Sequence, residues 1–308
     1  MSPLREYETP SELEHLLKLF HTDHSQCPEV LTVRPSIGFA LNGKYKVSKL
    51  RFFSDETQKF LLIFEANSVA RSMLYITPAV NCEYDRPVLR KCIQGQVLII
   101  ARPFIDTHGS ILVSCDTPAK EELLAGFADV LPAYEVNAKR TNPVEIFYTT
   151  DAQMEAFAKR VPTLPEGFTI EEVNVERDGD TINDNWKNAA SPEATKSRLA
   201  QLLCLCVRDQ SKGETVAWYM SACFGQFSNL FTLPSYRGRG LATALEFAMA
   251  QRQIKTGNRP FKYVDDPQIS ASNQRNPLWT RWERDGERVT MWFIGLSRKE
   301  EQMNNNEN

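Results

Sequence analysis

Residues 232–249 read TLPSYRGRGLATALEFAM, two glycines and two arginines set between a strand-like approach and a helix-like exit. The exit is the clearest helix of the chain. Over LATALEFAMAQRQI, Leu241, Leu245, Ala248 and Met249 recur on one face, and Thr256-Gly257 closes it. A helix begins with unpaired backbone N–H groups and the positive end of its dipole, so a glycine-bearing turn entering it can wrap phosphate oxygens. Gly238 and Gly240 let the backbone approach closely, and Arg237 and Arg239 add charge beside it. The competing reading is an exposed helix start with two solvated arginines. An ATP loop of the G-x-x-x-x-G-K-[ST] kind is excluded by spacing and by the missing Lys-Ser/Thr. The dinucleotide pattern G-x-G-x-x-G fails because its last position is Thr243.

The 308 residues exceed the usual single core of about 100–200 residues, so two domains are the default expectation and one large domain is the alternative. A net charge of -3 supplies no global positive field, which argues against nucleic acid or an anionic membrane surface as partner. No apolar run approaches the roughly 20 residues of a membrane span; FLLIF and VLIIA are strand-sized. The first residues, MSPLREYETPSELEHLLKLF, carry several glutamates and lack both a hydrophobic signal core and an Arg-rich presequence, so the cytosol is the expected compartment. Cys204, Cys206 and Cys223 lie in apolar runs, no C-x-x-C pair exists, and the four histidines all fall in the first half. The cysteines therefore read as reduced core residues, with no metal site.

Along the chain, PSELEHLLKLFH forms an amphipathic helix behind Ser11 as N-cap. KLRFF, KFLLIF, SMLYI, QVLIIA and SILVSC follow as strands, then a helical PAKEELLAGFADVL and a strand VEIFYT. The prolines and glycine of KRVPTLPEG, residues 159–167, mark a boundary. The second part reads FTIEEVNV, LLCLCV, ETVAWYMSAC, NLFTL, FKYV and VTMWFIGL as strands, with NPLWTRWERD helix-like between the last two. SRKEEQMNNNEN is a polar tail expected to be disordered. No repeat appears at solenoid periods.

The turn resembles the acyl-CoA pyrophosphate signature of the GCN5-related N-acetyltransferase superfamily, Q/R-x-x-G-x-G/A, with Arg237, Gly240 and Ala242 in its defined positions. The resemblance implies an α/β (α+β) fold, a mixed, mostly antiparallel sheet flanked by helices, with acyl-CoA as co-substrate. By resemblance, backbone N–H groups of Gly238, Arg239, Gly240, Leu241 and Ala242 hold the pyrophosphate, and the backbone of Leu230, Phe231 and Thr232 pairs with the pantetheine arm. Asn273, after FKYV, reads either as a contact to that arm or as a helix N-cap. Leu278-Trp279 stands where the superfamily carries Leu-Tyr on a helix, and an indole cannot protonate a leaving thiolate.

More narrowly, INDNWKNAASPEATKSRLAQLLCLCVRDQSKGETVAWYM and FTLPSYRGRGL resemble segments of the glycine N-acyltransferases. This implies a degenerate N-terminal domain of related fold over residues 1–160, an acyl-CoA-binding domain over 166–297 and the tail 298–308. The implied reaction is direct attack by the amine of glycine, or of another small amino acid, on an acyl-CoA thioester. It also raises the mitochondrion as a compartment, although no presequence is evident. The family's base, a Glu, aligns with Gln226, which cannot take a proton at neutral pH. Asp265 and Asp266, after FKYV, are alternative bases, or Gln226 orients a neutral amine; Glu246 is expected to face solvent. Two other readings stay open: acyl-CoA binding without turnover, and acylation of protein N-termini or lysines.

Overall fold

The computed structural model describes residues 4–20, 31–43, 46–78, 84–130 and 134–299; the expected tail falls almost wholly outside them. β1 (Leu4–Tyr7) leads into α1 (Pro10–Leu19), whose N-cap is Thr9 rather than Ser11. The Thr9 hydroxyl accepts from the Glu12 N–H while the Glu12 carboxylate accepts from the Thr9 N–H, and Pro10 sits where a missing donor costs nothing. α2 (Val33–Asn42) follows, then a meander of β2 (Ser48–Asp55), β3 (Phe60–Asn67) and β4 (Met73–Pro78).

QVLIIA is not a strand. It lies inside a helical run through α3 (Arg86–Cys92), a π-turn over Ile93–Val97 and α4 (Leu98–His108), spanning the junction of the last two. Val97, Ala101 and Ile105 are buried at i, i+4 and i+8 while Ile99 is exposed, the burial of a helix face and not of alternating strand sides. The first half closes with β5 (Ser110–Asp116), α5 (Thr117–Val130) and the long β6 (Tyr134–Tyr148).

α6 (Asp151–Lys159) precedes the expected boundary, and β7 (Phe168–Glu172) follows it. Then come α7 (Val175–Asp184), α8 (Pro192–Gln201), β8 (Cys204–Asp209), β9 (Glu214–Ser221) and β10 (Phe227–Thr232). α9 (Leu241–Lys255) is the helix read from the sequence, buried on more than one face because α6 covers it as well as the sheet: Phe157 meets Phe247 at 5.0 Å between ring centres. β11 (Phe261–Val264) is followed by α10 (Pro267–Gln274), which the sequence reading missed. NPLWTRWERD is not helical; it holds β12 (Thr280–Arg281) and β13 (Glu283–Arg284), which pairs with β14 (Glu287–Arg288). β15 (Thr290–Arg298) ends the fold.

One sheet runs through the chain in the order β1-β2-β3-β4-β5-β15-β6-β11-β10-β9-β8-β7, with β12 on β6. Read inward from either edge, it repeats: four antiparallel strands, then a parallel pair, β4 with β5 and β10 with β11. The last strand of each half has crossed over, β15 lying beside β5 and β6 beside β11. The two parallel pairs differ. β4 and β5 stay in register over three positions, Met73–Leu112 to Tyr75–Ser114. β10 and β11 meet only where Phe227 faces Lys262, and beyond that point they part.

Burial follows this layout. α3 to α5 cover one face of the first half, and α9 and α6 one face of the second. A third cluster takes Leu16, Ile37 and Tyr75 from the first half together with Phe224, Phe261 and Met291 from the second. There Pro35 of α2 lies against Gly225, whose φ of +85° and missing Cβ permit the approach.

Candidate functional site

The parting of β10 and β11 leaves a central strand unusually open. β10 has neighbours on both sides, yet Leu230 is 38% exposed and residues 228–232 are no more than half-buried. On its β9 side the ladder slips between Ser228 and Phe231, and Asn229 there takes a φ of +52°. Such a bulge turns backbone groups out of the ladder. The backbone of Leu230, Phe231 and Thr232 therefore lines a gap with no strand partner on the β11 side. Phe231 is held from behind by Trp218, stacked at 4.9 Å.

β10 runs straight into the glycine turn. Tyr236 anchors it: its hydroxyl donates to Asp209 at 3.0 Å and accepts from Lys212 at 3.0 Å. Gly238 and Gly240 both take φ near +80°, at +77° and +79°. A Cβ on either would meet nothing within 4 Å, so the glycines answer to backbone conformation and not to crowding by the protein. Gly240 is the N-cap of α9, and no side chain caps that helix. Leu241 is buried and Ala242 half-buried, so the first turn of α9 is seated on the core with its free N–H groups at the turn. Arg237 donates to the Thr232 carbonyl at 3.1 Å and Arg239 to the Ser235 carbonyl at 3.2 Å. Among the described residues neither arginine has a carboxylate partner. The matching helix of the first half, α3, is different: the Asp85 carboxylate already accepts from the Val88 N–H, so an anion occupies that helix start. Among the described residues, only the second half offers both a splayed parallel pair and an uncapped helix start.

Gln226 immediately precedes β10 and is 7% exposed; its carbonyl accepts from the Ala222 N–H at 2.9 Å, while its side-chain Oε1 has no partner. Asp265 follows β11 and faces Lys187 at 3.6 Å, half-exposed. Asp266 is the N-cap of α10, its carboxylate accepting from the N–H groups of Gln268 and Ile269 at 2.8 and 3.0 Å. Those bonds commit Asp266 to the helix, and no hydrogen bond joins either aspartate to Gln226.

Asn273 lies within α10 and is not a helix cap, which corrects that reading. Its Oδ1 accepts from Lys262 Nζ at 2.9 Å. Glu246 does not face solvent: it is 9% exposed and ion-paired with Lys262. Trp279, 4% exposed, lies under the Lys262 ammonium, 3.9 Å from Nζ to the ring centre. Burial pushes the Lys262 pKa down, against the opposing pull of Glu246. Lys262 escaped the sequence reading because it sits singly in an apolar run, where only tertiary structure reveals its partner.

On the opposite side of β10, Arg198 of α8 donates to the Ser221 carbonyl at 3.0 Å and to the Ser228 hydroxyl at 2.5 Å, with Trp186 5.0 Å beneath it. It makes no ion pair among the described residues. The cysteines behave as expected: the five described ones are free and buried, and burial raises Cys204 to about 12 and Cys206 to about 11. Cys27 and Cys82 lie outside the described residues. The described residues contain no cluster fit to hold a metal ion and no helix long and apolar enough to cross a membrane.

Residues 204–273, from β8 to α10 and including the glycine turn, match the family described as FR47-like protein. No curated protein sequence matches the chain. Among solved structures, a Drosophila protein is 17% identical with a TM-score of 0.69, the alignment covering 96% of this chain and 98% of that one. A GCN5-related N-acetyltransferase from Sphaerobacter thermophilus is 13% identical with a TM-score of 0.53, over 97% and 96%. A tandem protein of the same superfamily, from the clavulanic acid biosynthesis pathway, is 11% identical with a TM-score of 0.51, over 96% and 98%. The chain thus has the fold of the GCN5-related N-acetyltransferases, a mostly antiparallel sheet flanked by helices, over nearly its whole length.

Proposed function

We propose that the chain is an acyl-CoA-dependent N-acyltransferase of the GCN5-related superfamily, acting on the amine of glycine or another small amino acid, as the glycine N-acyltransferases do. The observation that carries this reading is the uncapped turn Gly238–Gly240 at the end of the parted strand β10. A pyrophosphate would be held by the N–H groups of Gly238 to Ala242 with Arg237 and Arg239 alongside. The acyl-bearing arm would run along Leu230, Phe231 and Thr232 toward Asn273. In this reading residues 166–297 form the acyl-CoA-binding unit and residues 1–160 a degenerate relative of it, whose own helix start is closed by Asp85. No metal is required.

The chemistry is direct transfer. The neutral amine nitrogen attacks the thioester carbonyl carbon, the C–S bond breaks as the tetrahedral adduct collapses, and the nitrogen's proton is lost as the thiolate gains one. Gln226 cannot act as base, but its buried, unpaired Oε1 can accept an N–H and hold the nitrogen lone pair toward the carbonyl. Arg198 of α8, a half-buried cation bonded to Ser228 of the same strand β10 and without a carboxylate partner among the described residues, supports an acceptor that brings its own carboxylate. Asp265 remains a candidate base acting through water; Asp266 is less suited, since its oxygens serve α10.

A panel of acyl-CoA thioesters against glycine, glycinamide, other amino acids and a peptide amine, read by free-thiol release, tests the proposal. Release with glycine and little with glycinamide is the expected result. A second reading, acyl-CoA binding without turnover, draws on the replacement of both customary proton-handling groups by Gln226 and Trp279. Binding of CoA with no thiol released by any amine would select it.

A further inference from the structure

Lys262 occupies the apex of the gap, at the one position where β10 and β11 remain in register. Its side chain crosses to the face covered by α9 and α10 and joins them, paired with Glu246 on one helix and bonded to Asn273 Oδ1 on the other. Resting on the acyl-CoA reading above, we infer that Lys262 is a positioning residue: it fixes the orientation of the Asn273 amide, so that Asn273 Nδ2 donates to an amide carbonyl of the thioester-bearing arm lying between β10 and β11.

The chemistry of the donors forces the orientation. An ammonium has three donors and no acceptor, so the Asn273 oxygen must face Lys262 and its NH2 must face away. That NH2 is buried and has no partner, in a residue 7% exposed. The indole Nε1 of Trp279, beneath the same ammonium, is likewise buried and unpaired. Buried donors without partners are rare in folded proteins, and the Asn273 NH2, held through Lys262 at the position where the strands part, marks a place where an acceptor is to be supplied. A secondary amide of the arm supplies it. Glu246 favours the charged form of Lys262 against the opposing effect of burial.

The test is equilibrium binding, by calorimetry, of CoA and of adenosine 3′,5′-bisphosphate, which lacks the amide arm. Lys262→Met is expected to weaken CoA about tenfold and leave the bisphosphate unchanged, and Lys262→Arg, which keeps the donors, to hold CoA within about threefold of wild type. If Lys262→Met does not fold, Asn273→Asp carries the test: it is isosteric, keeps an oxygen toward the ammonium and deletes the NH2, so CoA affinity should fall with the bisphosphate unaffected. In a folded Lys262→Met/Asn273→Asp double variant the losses should not add, because both act through one amide. Unchanged CoA affinity in Lys262→Met, equal losses for both ligands, or additive losses would overturn the inference while leaving CoA binding itself established. Failure of the wild type to bind either ligand would overturn this inference together with the acyl-CoA reading.

Discussion

The hydroxyls of Tyr75 and Tyr263 lie 3.0 Å apart, although β4 and β11, which carry them, are separated by three other strands. Strands are spaced about 4.8 Å, so a flat sheet would put these two backbones about 19 Å apart, beyond the reach of two tyrosines. The sheet is therefore strongly curled, and its concave side gathers residues of both halves into one cluster. The stacking of Tyr75 on Phe224 at 6.0 Å belongs to the same seam.

This interleaving predicts joint folding. β15 is paired to β5 and β6, and β11 depends on β6 for its second neighbour. A fragment of residues 166–297 lacks β6 and should remain unfolded by circular dichroism and amide exchange. The full chain should unfold in urea in a single transition whether followed by fluorescence or by far-ultraviolet dichroism. Tyr75→Phe should lower stability by about 1 kcal/mol, the usual worth of one hydrogen bond. Two separated transitions, or a folded fragment, would show that the halves are independent.

Gly240 separates conformation from charge at the turn. Its φ of +79° is costly for an ordinary L-residue, by about 1–2 kcal/mol, but Asn and Asp tolerate this region best and differ from each other only in charge. Nothing lies within 4 Å of an added Cβ, so both variants should fold. Gly240→Asp should then bind CoA at least about tenfold more weakly than Gly240→Asn, because a carboxylate at the helix start opposes a phosphate. Equal affinities by calorimetry would remove the turn from the phosphate site.

How much of this was legible in the sequence depends on how local each feature is. The turn and α9 could be read because two glycines, an apolar helix face and a closing glycine all lie within 25 residues, and each has a local physical cause. Asp266-Pro267 is also a local signal, an N-cap followed by proline, and it marks α10 as clearly as Thr9-Pro10 marks α1. QVLIIA misled because a short apolar run fits a strand as well as a helix, and the burial of Val97, Ala101 and Ile105 is decided by packing against β5 and α5. The exchange of β6 and β15 pairs residues more than 140 positions apart, which no window along the chain contains. Glu246 reads as a surface charge because the cost of burying it is met only by Lys262, which lies in another element.

Gln226 stands where the resemblance places a carboxylate, and its Oε1 is buried without a partner. If it only orients the acceptor, the rate with glycine should climb with pH until the acceptor's own amine is neutral, with no inflection belonging to the protein. Gln226→Glu should introduce one: a carboxyl in this buried position is raised above its ordinary range and can take the proton. The rate at neutral pH should increase about a hundredfold, the lower end of what a positioned base contributes. Initial rates of thiol release from pH 6 to 9 measure both enzymes, and a slower variant at every pH would remove Gln226 from the reacting centre.

Lys262 predicts two responses to alkali with opposite signs. Burial holds its folded pKa below the ordinary lysine value of about 10.4, with Glu246 of α9 pulling the other way. The other titratable group near this pair is Tyr219 of β9, whose phenol burial raises, so it stays neutral throughout. Between the folded pKa and about 10.4 the unfolded chain holds more protons than the folded one, and stability should therefore rise with pH in that window. Over the same window the neutral amine no longer compels the Asn273 oxygen to face it, and affinity for a CoA thioether, which has no titrating thiol, should fall. Urea unfolding and calorimetry at matched pH values separate the two effects. Loss of both together would mean general loosening of the fold, whereas rising stability with falling affinity, both flattened in Lys262→Arg, identifies the ammonium as the group that sets the site.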